Sequence, residues 1–291
     1  MKTLLTGATG LLGGALLELL IEAEHEVRCL LRESSPNATR LDPNRVEIVR
    51  GDSSDETDLS RALRGVDALV HVAGIEHTPQ VLEAMRSAGV ERLALVGSTS
   101  VHSRYEFRSG MRRRMEVMIH DSGLRWTIAR PAMIYGSELD KNMRHLLRFL
   151  DRSPVFPIFG SGENLWQPVY YEDCASGVLA ALENPAATGQ NYDLPGAEPL
   201  SYRDLVLIAA RALGRKPRLV SVPLEPARLA LKAAEAARLP LPVKSEQVLR
   251  LREDKAYSYE KAERDLCYAP RAFAEGIALE VSRLLKLGMV R

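Results

Sequence analysis

The sequence predicts an α/β protein: a doubly wound parallel sheet followed by a smaller C-terminal α/β lobe. Three observations predict it. First, a short apolar run at Leu4 and Leu5 enters a turn with glycines at 7, 10 and 13, and an apolar helical stretch follows from Leu11 to Leu20. Second, strand and helix patterns then alternate with short links, as they do when helices cover both faces of a parallel sheet. Third, the alternation fades after residue 153, where Pro154, Pro157, Pro168, Gly160 and Gly162 mark loops.

Each element has a local reason. Strands are expected at residues 2–5, 26–31, 46–49, 68–72, 92–96 and 125–129, where apolar residues run together. Helices are expected between them at 11–24, 56–64, 78–88 and 111–122. Asp55 is placed to cap the second helix, and Gly89 and Gly123 stand where helices should stop. Beyond the loops, helices are expected at 171–182, 201–213, 225–237 and 271–287, with a strand at 218–222 after Gly214 and Pro217. This organisation suggests a first domain over 1–153 and a substrate lobe over 154–291, with a segment near 168–184 returning to the first domain.

Composition narrows the function. Among 291 residues, 39 Lys and Arg face 38 Asp and Glu, so no global field draws in nucleic acid. Cys29, Cys174 and Cys267 lie far apart, which fits a reduced cytoplasmic setting and neither a disulfide frame nor a metal site. Glu18, Glu22 and Glu24 interrupt the leucine-rich start, against a signal peptide, and no apolar stretch is long enough to span a bilayer.

The glycine turn carries the chemistry. Glycines let the backbone turn tightly and approach a pyrophosphate, and the amides opening the next helix attract its charge. Gly7, Ala8, Thr9, Gly10, Leu11, Leu12 and Gly13 are therefore expected to bind a dinucleotide. Arg32 ends the second strand, about twenty residues past the turn. A guanidinium there suits a 2′-phosphate, so NADP is expected, with NAD the alternative because Glu33 is adjacent.

The order of motifs resembles the extended and atypical branch of the short-chain dehydrogenase/reductase superfamily. That branch includes nucleotide-sugar epimerases and dehydratases, and redox-inert relatives of a respiratory complex I accessory subunit. The marks are Thr6 to Gly13, Gly51-Asp52, Val66 to Gly74, Gly89 to Arg92, Ala129 to Gly136, Gln167 to Asp173 and Lys261 to Leu266. The resemblance spans nearly the whole chain and implies a Rossmann domain. It also implies that Asp52 and Ser53 reach the adenine, that Val72, Ala73 and Gly74 pass beneath the ribose, and that Pro131 and Ala132 lie near the nicotinamide. Asp52 reads equally well as a turn residue or helix cap.

Active members of that family use a Ser, a Tyr and a Lys. Ser98 fits the Ser position, though Ser98, Thr99 and Ser100 could instead close the strand end. Anchoring on Glu116 puts the Lys position at Arg112 and the Tyr position at Arg108, so the Tyr-x-x-x-Lys pair is absent. A permanently charged guanidinium cannot replace a Tyr as proton donor. Arg112 could still hold the ribose. Tyr105, His102 and Tyr135 are candidate substitutes, with Tyr105 foremost by position. The run Arg112–Arg114 reads as a solvated face. Tyr257 and Lys261 have the motif's spacing but lie in the tail segment, so they are set aside.

Met133 to Ser137 and Phe156 to Tyr170 are expected to contact a small, perhaps sugar-like, substrate, with Trp166, Gln167 and Tyr170 offering apolar faces and polar tips. Two functions compete: an NADP-dependent oxidoreductase or epimerase/dehydratase-like enzyme with a substitute proton donor, and a redox-inactive coenzyme-binding sensor or assembly protein. A monomer or homodimer, without membrane or nucleic-acid partners, is expected.

Overall fold

The computed structural model describes residues 1–35, 37–236 and 253–291. In chain order the elements begin β1 (Lys2–Thr6), α1 (Leu11–Glu22), β2 (Glu26–Leu31), β3 (Glu47–Arg50), α2 (Glu56–Leu63), β4 (Ala68–His71), α3 (Thr78–Ala88), β5 (Arg92–Val96), α4 (Glu106–His120) and β6 (Arg125–Pro131). They continue β7 (Ile134–Tyr135), α5 (Met143–Arg152), β8 (Val155–Phe159), β9 (Leu165–Trp166), β10 (Val169–Tyr170), α6 (Tyr171–Glu183) and β11 (Gln190–Leu194). The remainder are β12 (Leu200–Ser201), α7 (Tyr202–Ala212), β13 (Arg218–Val222), α8 (Leu224–Ala236), α9 (Glu260–Leu266) and α10 (Phe273–Lys286). The expected end of the eighth helix, Ala237, lies outside the described residues.

The chain divides into two compact units. The first comprises Met1–Ile134, Val169–Pro195 and Ser258–Pro270; the second comprises Tyr135–Pro168, Gly196–Tyr257 and Arg271–Arg291.

The first unit is a seven-stranded sheet in the order β11-β6-β5-β4-β1-β2-β3, parallel throughout. Strand order reverses between β1 and β4, and ligands of such sheets bind beyond the carboxyl ends of the strands at that reversal. Leu4, Leu5, Leu69 and Val70 are fully buried because helices cover both faces. On one face Leu12, Leu16 and Leu20 of α1 pack with Cys174, Val178 and Ala181 of α6. On the other, Leu59 and Leu63 of α2 and Val81 and Met85 of α3 join Ile119 of α4. Asp55 caps α2 by accepting the Asp58 amide at 3.0 Å, and Gly89 ends α3 at φ +69°.

Two differences from the sequence reading matter for the site. Helix α4 starts at Glu106 and not near residue 111, so Tyr105 is its N-cap residue. A seventh strand, β11, pairs with β6 and brings Asp193 beside Arg130.

The second unit contains two small ladders, β8 with β13 and β9 with β12. Helices α5, α7 and α10 supply its core, through Leu147 and Leu150, Leu205 and Ala209, and Ile277 and Leu284. Among the described residues no helix is long and apolar enough to cross a membrane.

Candidate functional site

The turn after β1 is shaped for close approach. Gly7 has φ +75°, and a Cβ there would sit 3.3 Å from the Ala73 amide nitrogen. A Cβ on Gly13 would lie 2.0 Å from the Gly7 carbonyl oxygen, so no side chain fits. Gly10 opens α1 with no side chain capping the first amides. Those amides, with the positive end of the helix dipole, suit a pyrophosphate. Ala8 and Leu12 are buried in the core beneath the turn, so their side chains hold it from below. The Thr9 hydroxyl meets the Ser35 hydroxyl at 3.0 Å, and Asn37 Nδ2 donates to the Thr9 carbonyl at 3.3 Å. The segment after β2 is thereby tied to the turn.

The loop after β4 is fixed by a buried relay that sequence reasoning missed. Thr6 Oγ1 accepts the amides of Val72 and Ala73 at 3.1 and 3.3 Å and lies 3.0 Å from His71 Nδ1. His71 Nε2 lies 2.9 Å from the Gly74 carbonyl, which only accepts, so Nε2 carries the proton and Nδ1 accepts from Thr6. Burial holds His71 down to about 4, so it stays neutral near pH 7. The relay sets Val72, Ala73 and Gly74, the last at φ +127°, against Gly7.

After β3, Asp52 accepts the Ser54 amide at 2.9 Å and the Ser54 hydroxyl at 2.8 Å. The Ser54 bonds hold its carboxyl below the usual range, with Arg32 and His77 adding to the effect. Ser53 is buried beside it, and Arg32 is exposed.

After β5, Ser98 Oγ accepts the Ser100 amide at 3.2 Å and the Ser100 hydroxyl at 3.0 Å, capping a 3-10 turn over Thr99–His102. Its own hydroxyl proton remains available for donation in chemical terms. Thr99 donates to the Pro131 carbonyl at 3.3 Å, and the Ala132 amide bonds the Leu194 carbonyl at 3.2 Å, so Pro131 and Ala132 close the same strand edge. Tyr105 receives a hydrogen bond from Arg104 Nη2 on its hydroxyl at 3.2 Å, and the guanidinium also lies 5.1 Å from the ring centre. Arg112 Nη1 donates to the Arg108 carbonyl of its own helix at 2.8 Å, while its Nε is buried without a partner.

The basic run is not uniformly a solvated face. Arg113 donates to the Val101 and Ser103 carbonyls at 3.1 and 2.9 Å, fastening α4 to the segment before it. Glu116 of α4, buried, and Arg130 of β6, partly buried, form a two-pronged pair at 2.9 and 2.5 Å. Neither Arg113's bonds nor this pair is legible from spacing, because the partners come from separate strands and turns.

In the second unit, the residues expected to face a substrate are largely committed elsewhere. Gln167 donates to the Gly196 carbonyl and accepts the Tyr257 amide, both at 2.8 Å. Lys255 Nζ sits 3.5 Å from the Trp166 ring centre, and the Tyr202 ring lies 5.6 Å away, tilted by 40°. Tyr135 is fully buried, with its hydroxyl on the Phe273 carbonyl at 3.4 Å, which removes it as a substitute proton donor. Tyr170, in the first unit, is buried against Tyr171. Among the described residues no group of His, Cys, Asp and Glu could hold a metal ion.

Comparison with known proteins finds family models and relatives that resemble this chain. A family model described as NAD(P)H-binding matches residues 7–149, and the NAD-dependent epimerase/dehydratase family model matches residues 111–194. A reductase of (4-alkanoyl-5-oxo-2,5-dihydrofuran-3-yl)methyl phosphate from Streptomyces griseus is 30% identical over 237 residues, covering 79% of this chain and 80% of that one. An uncharacterised protein of Mycobacterium tuberculosis is 28% identical over 224 residues, 74% of this chain, and the match spans only 23% of that protein's length. The crystal structure of gox2253 superposes with a TM-score of 0.83 at 24% identity, covering 100% of this chain and 99% of that one. A nucleoside-diphosphate-sugar epimerase from Pseudomonas aeruginosa superposes with a TM-score of 0.79 at 21% identity, covering 100% and 99%. These two likenesses are of fold.

Proposed function

The chain belongs to the extended short-chain dehydrogenase/reductase family of NAD(P)-binding proteins, and on that premise we propose that it is an NADP-preferring reductase of a small carbonyl compound. The observation that carries the reading is the Arg104 guanidinium on the Tyr105 hydroxyl. It supplies a phenol with an adjacent cation although the Tyr-x-x-x-Lys positions are arginines. The Streptomyces reductase, alike over four-fifths of both chains, supports the reaction class.

In this reading Gly7, Ala8, Thr9, Gly10, Leu11, Leu12 and Gly13 hold the pyrophosphate, Asp52 and Ser53 the adenine, and Val72, Ala73 and Gly74 the ribose. Arg32 binds the 2′-phosphate and sets the preference for NADP over NAD. Pro131 and Ala132 back the nicotinamide, and the buried, unpartnered Nε of Arg112 points to a role beside its ribose. When bound, the reduced nicotinamide supplies a hydride. Ser98 orients the substrate oxygen with its hydroxyl, and Tyr105 passes that oxygen a proton.

The test is oxidation of NADPH, followed at 340 nm (the absorption band of the reduced ring), by phenanthrenequinone, an aromatic aldehyde, ethyl 2-methylacetoacetate and an azo dye. Turnover with at least one acceptor, lost in Tyr105→Phe, is expected. Tight NADPH binding with no turnover by any acceptor would favour the coenzyme-sensor alternative.

A further inference from the structure

We infer that His71 is a positioning residue for the coenzyme, acting through the Thr6 hydroxyl and the Gly74 carbonyl. The inference rests on the reading that the loop after β4 carries the ribose, and deepens it.

A histidine is out of place where this one stands. The rest of β4 is apolar, Ala68-Leu69-Val70, and the strand lies inside the sheet between β1 and β5. His71 is fully buried, and a polar ring there costs stability unless both nitrogens are paired. Both are. Thr6 is its cross-strand partner in the parallel register of β1 and β4, and Thr6 Oγ1 lies 3.0 Å from Nδ1. Nε2 lies 2.9 Å from the carbonyl of Gly74, three residues on. Thr6 ends β1 and His71 ends β4, the two strands at which the sheet order reverses, so the pair stands at the carboxyl end of the expected ligand crevice.

The bonding is directional and uses every group. The Gly74 carbonyl only accepts, so Nε2 carries the proton and Nδ1 offers a lone pair. The Thr6 hydroxyl therefore donates to Nδ1, and its oxygen keeps two lone pairs for the amides of Val72 and Ala73, at 3.1 and 3.3 Å. A hydroxyl has one donor and two acceptor sites, and all three are filled. The other tautomer, or a charged ring, would put a third N–H against that oxygen, and one amide would lose its partner. Burial keeps the ring neutral near pH 7.

What the ring holds is backbone. Gly74, at φ +127°, turns its carbonyl to Nε2, while Val72 and Ala73 turn their amides to Thr6. Gly7 faces them so closely that a Cβ on it would lie 3.3 Å from both the Ala73 amide nitrogen and the Val72 carbonyl carbon. Thr6 is joined covalently to Gly7, so one hydroxyl sets the loop after β4 against the first residue of the phosphate turn. Losing the ring frees the Thr6 rotor and the Gly74 carbonyl together, and the two halves of the coenzyme site can shift apart while the sheet stays folded.

The experiment measures NADPH dissociation constants by fluorescence titration, and stability in urea, for wild type, His71→Leu, Thr6→Val, Thr6→Ser and Leu63→Ala. Val keeps the shape of Thr without its hydroxyl, and Ser keeps the hydroxyl. Leu63 is a core residue of α2 that takes no part in these bonds. The expected result is an NADPH dissociation constant raised about tenfold in His71→Leu and Thr6→Val and largely restored in Thr6→Ser. Leu63→Ala should lose stability and keep the wild-type affinity, a separation that a merely structural role for His71 would not produce. In wild type, 15N NMR near pH 7 should show a neutral His71 ring protonated on Nε2, with and without NADPH. Wild-type affinity in His71→Leu and Thr6→Val, a Thr6→Ser as weak as Thr6→Val, a Leu63→Ala as weak as either, or a ring protonated on Nδ1 would overturn the inference and leave the coenzyme reading standing. A folded wild type that binds neither NADPH nor NADH would overturn both.

Discussion

Glu280 offers a sharp test of how the second unit is built. It lies on α10, fully buried, and neither carboxyl oxygen makes a well-formed hydrogen bond. Burial, with the Asp140 carboxyl beside it, raises its pKa from 4.5 to about 9. Asp140, also buried, accepts the Asn142 and Arg144 amides at 2.8 and 2.9 Å and so starts α5. The fold therefore keeps Glu280 protonated at neutral pH, against its preference in the unfolded chain. The sign follows from linkage: the folded form binds the extra proton, so this contribution is fully present below about 4.5 and is lost as pH rises toward about 9. At pH 7.5 the gap is about three units at about 1.4 kcal/mol each, an upper bound of roughly 4 kcal/mol. Relaxation around the site brings the expected gain from Glu280→Gln to about 2 kcal/mol. The assay is urea unfolding at pH 5 and pH 8 in a Trp126→Phe background, so that Trp166 reports the second unit. Glu280→Gln should match wild type near pH 5 and exceed it at pH 8. A variant less stable at both, with an unchanged pH slope, would refute the argument and indicate an ionised Glu280 paired with Arg144.

The other predictions concern the first unit. Gly13→Ala places a methyl 2.0 Å from the Gly7 carbonyl, and should weaken NADPH binding at least a hundredfold, on the order of 3 kcal/mol, while circular dichroism shows a folded protein; fluorescence titration within threefold of wild type would contradict the cradle. His71→Phe strips partners from the buried Thr6 hydroxyl and the Gly74 carbonyl, and should cost about 2–4 kcal/mol in urea at pH 7. His71 also gives the first unit a slope opposite to that of Glu280. Its lowered pKa means stability is lost as pH falls from 6.5 toward about 4, which Trp126 fluorescence in a Trp166→Phe background should report.

The first half of the fold was legible because its signals are local. Fully buried strands such as Ala68–His71 read as apolar runs, and Asp55 and Gly89 mark helix ends by their own chemistry. Strand β11 was not legible: Gln190-Asn191-Tyr192-Asp193-Leu194 is mostly polar and becomes a strand through pairing with β6. The start of α4 was hidden by Gly110 and the absence of an apolar stripe; Tyr105, by accepting the Arg108 and Ser109 amides on its carbonyl, begins the helix five residues earlier. Helix α5 was obscured by the loop signals after it, although Met143, Leu147 and Leu150 carry a helical spacing. At the site, the glycine turn announced itself, whereas the Thr6–His71–Gly74 relay and the His102–Asp193 pair join residues 65 and 91 positions apart, which no window along the chain can connect.

The turn at Gly7–Gly13 is proposed to hold the two phosphates of a nicotinamide dinucleotide, with Arg32 selecting the phosphorylated form. Isothermal titration of the folded protein with NADPH and NADH tests it directly. The account predicts one site per chain and NADPH binding tighter by about tenfold or more, a gap of roughly 1.4 kcal/mol, that closes in Arg32→Ala. No heat and no thermal stabilisation with either coenzyme, reduced or oxidised, would contradict it.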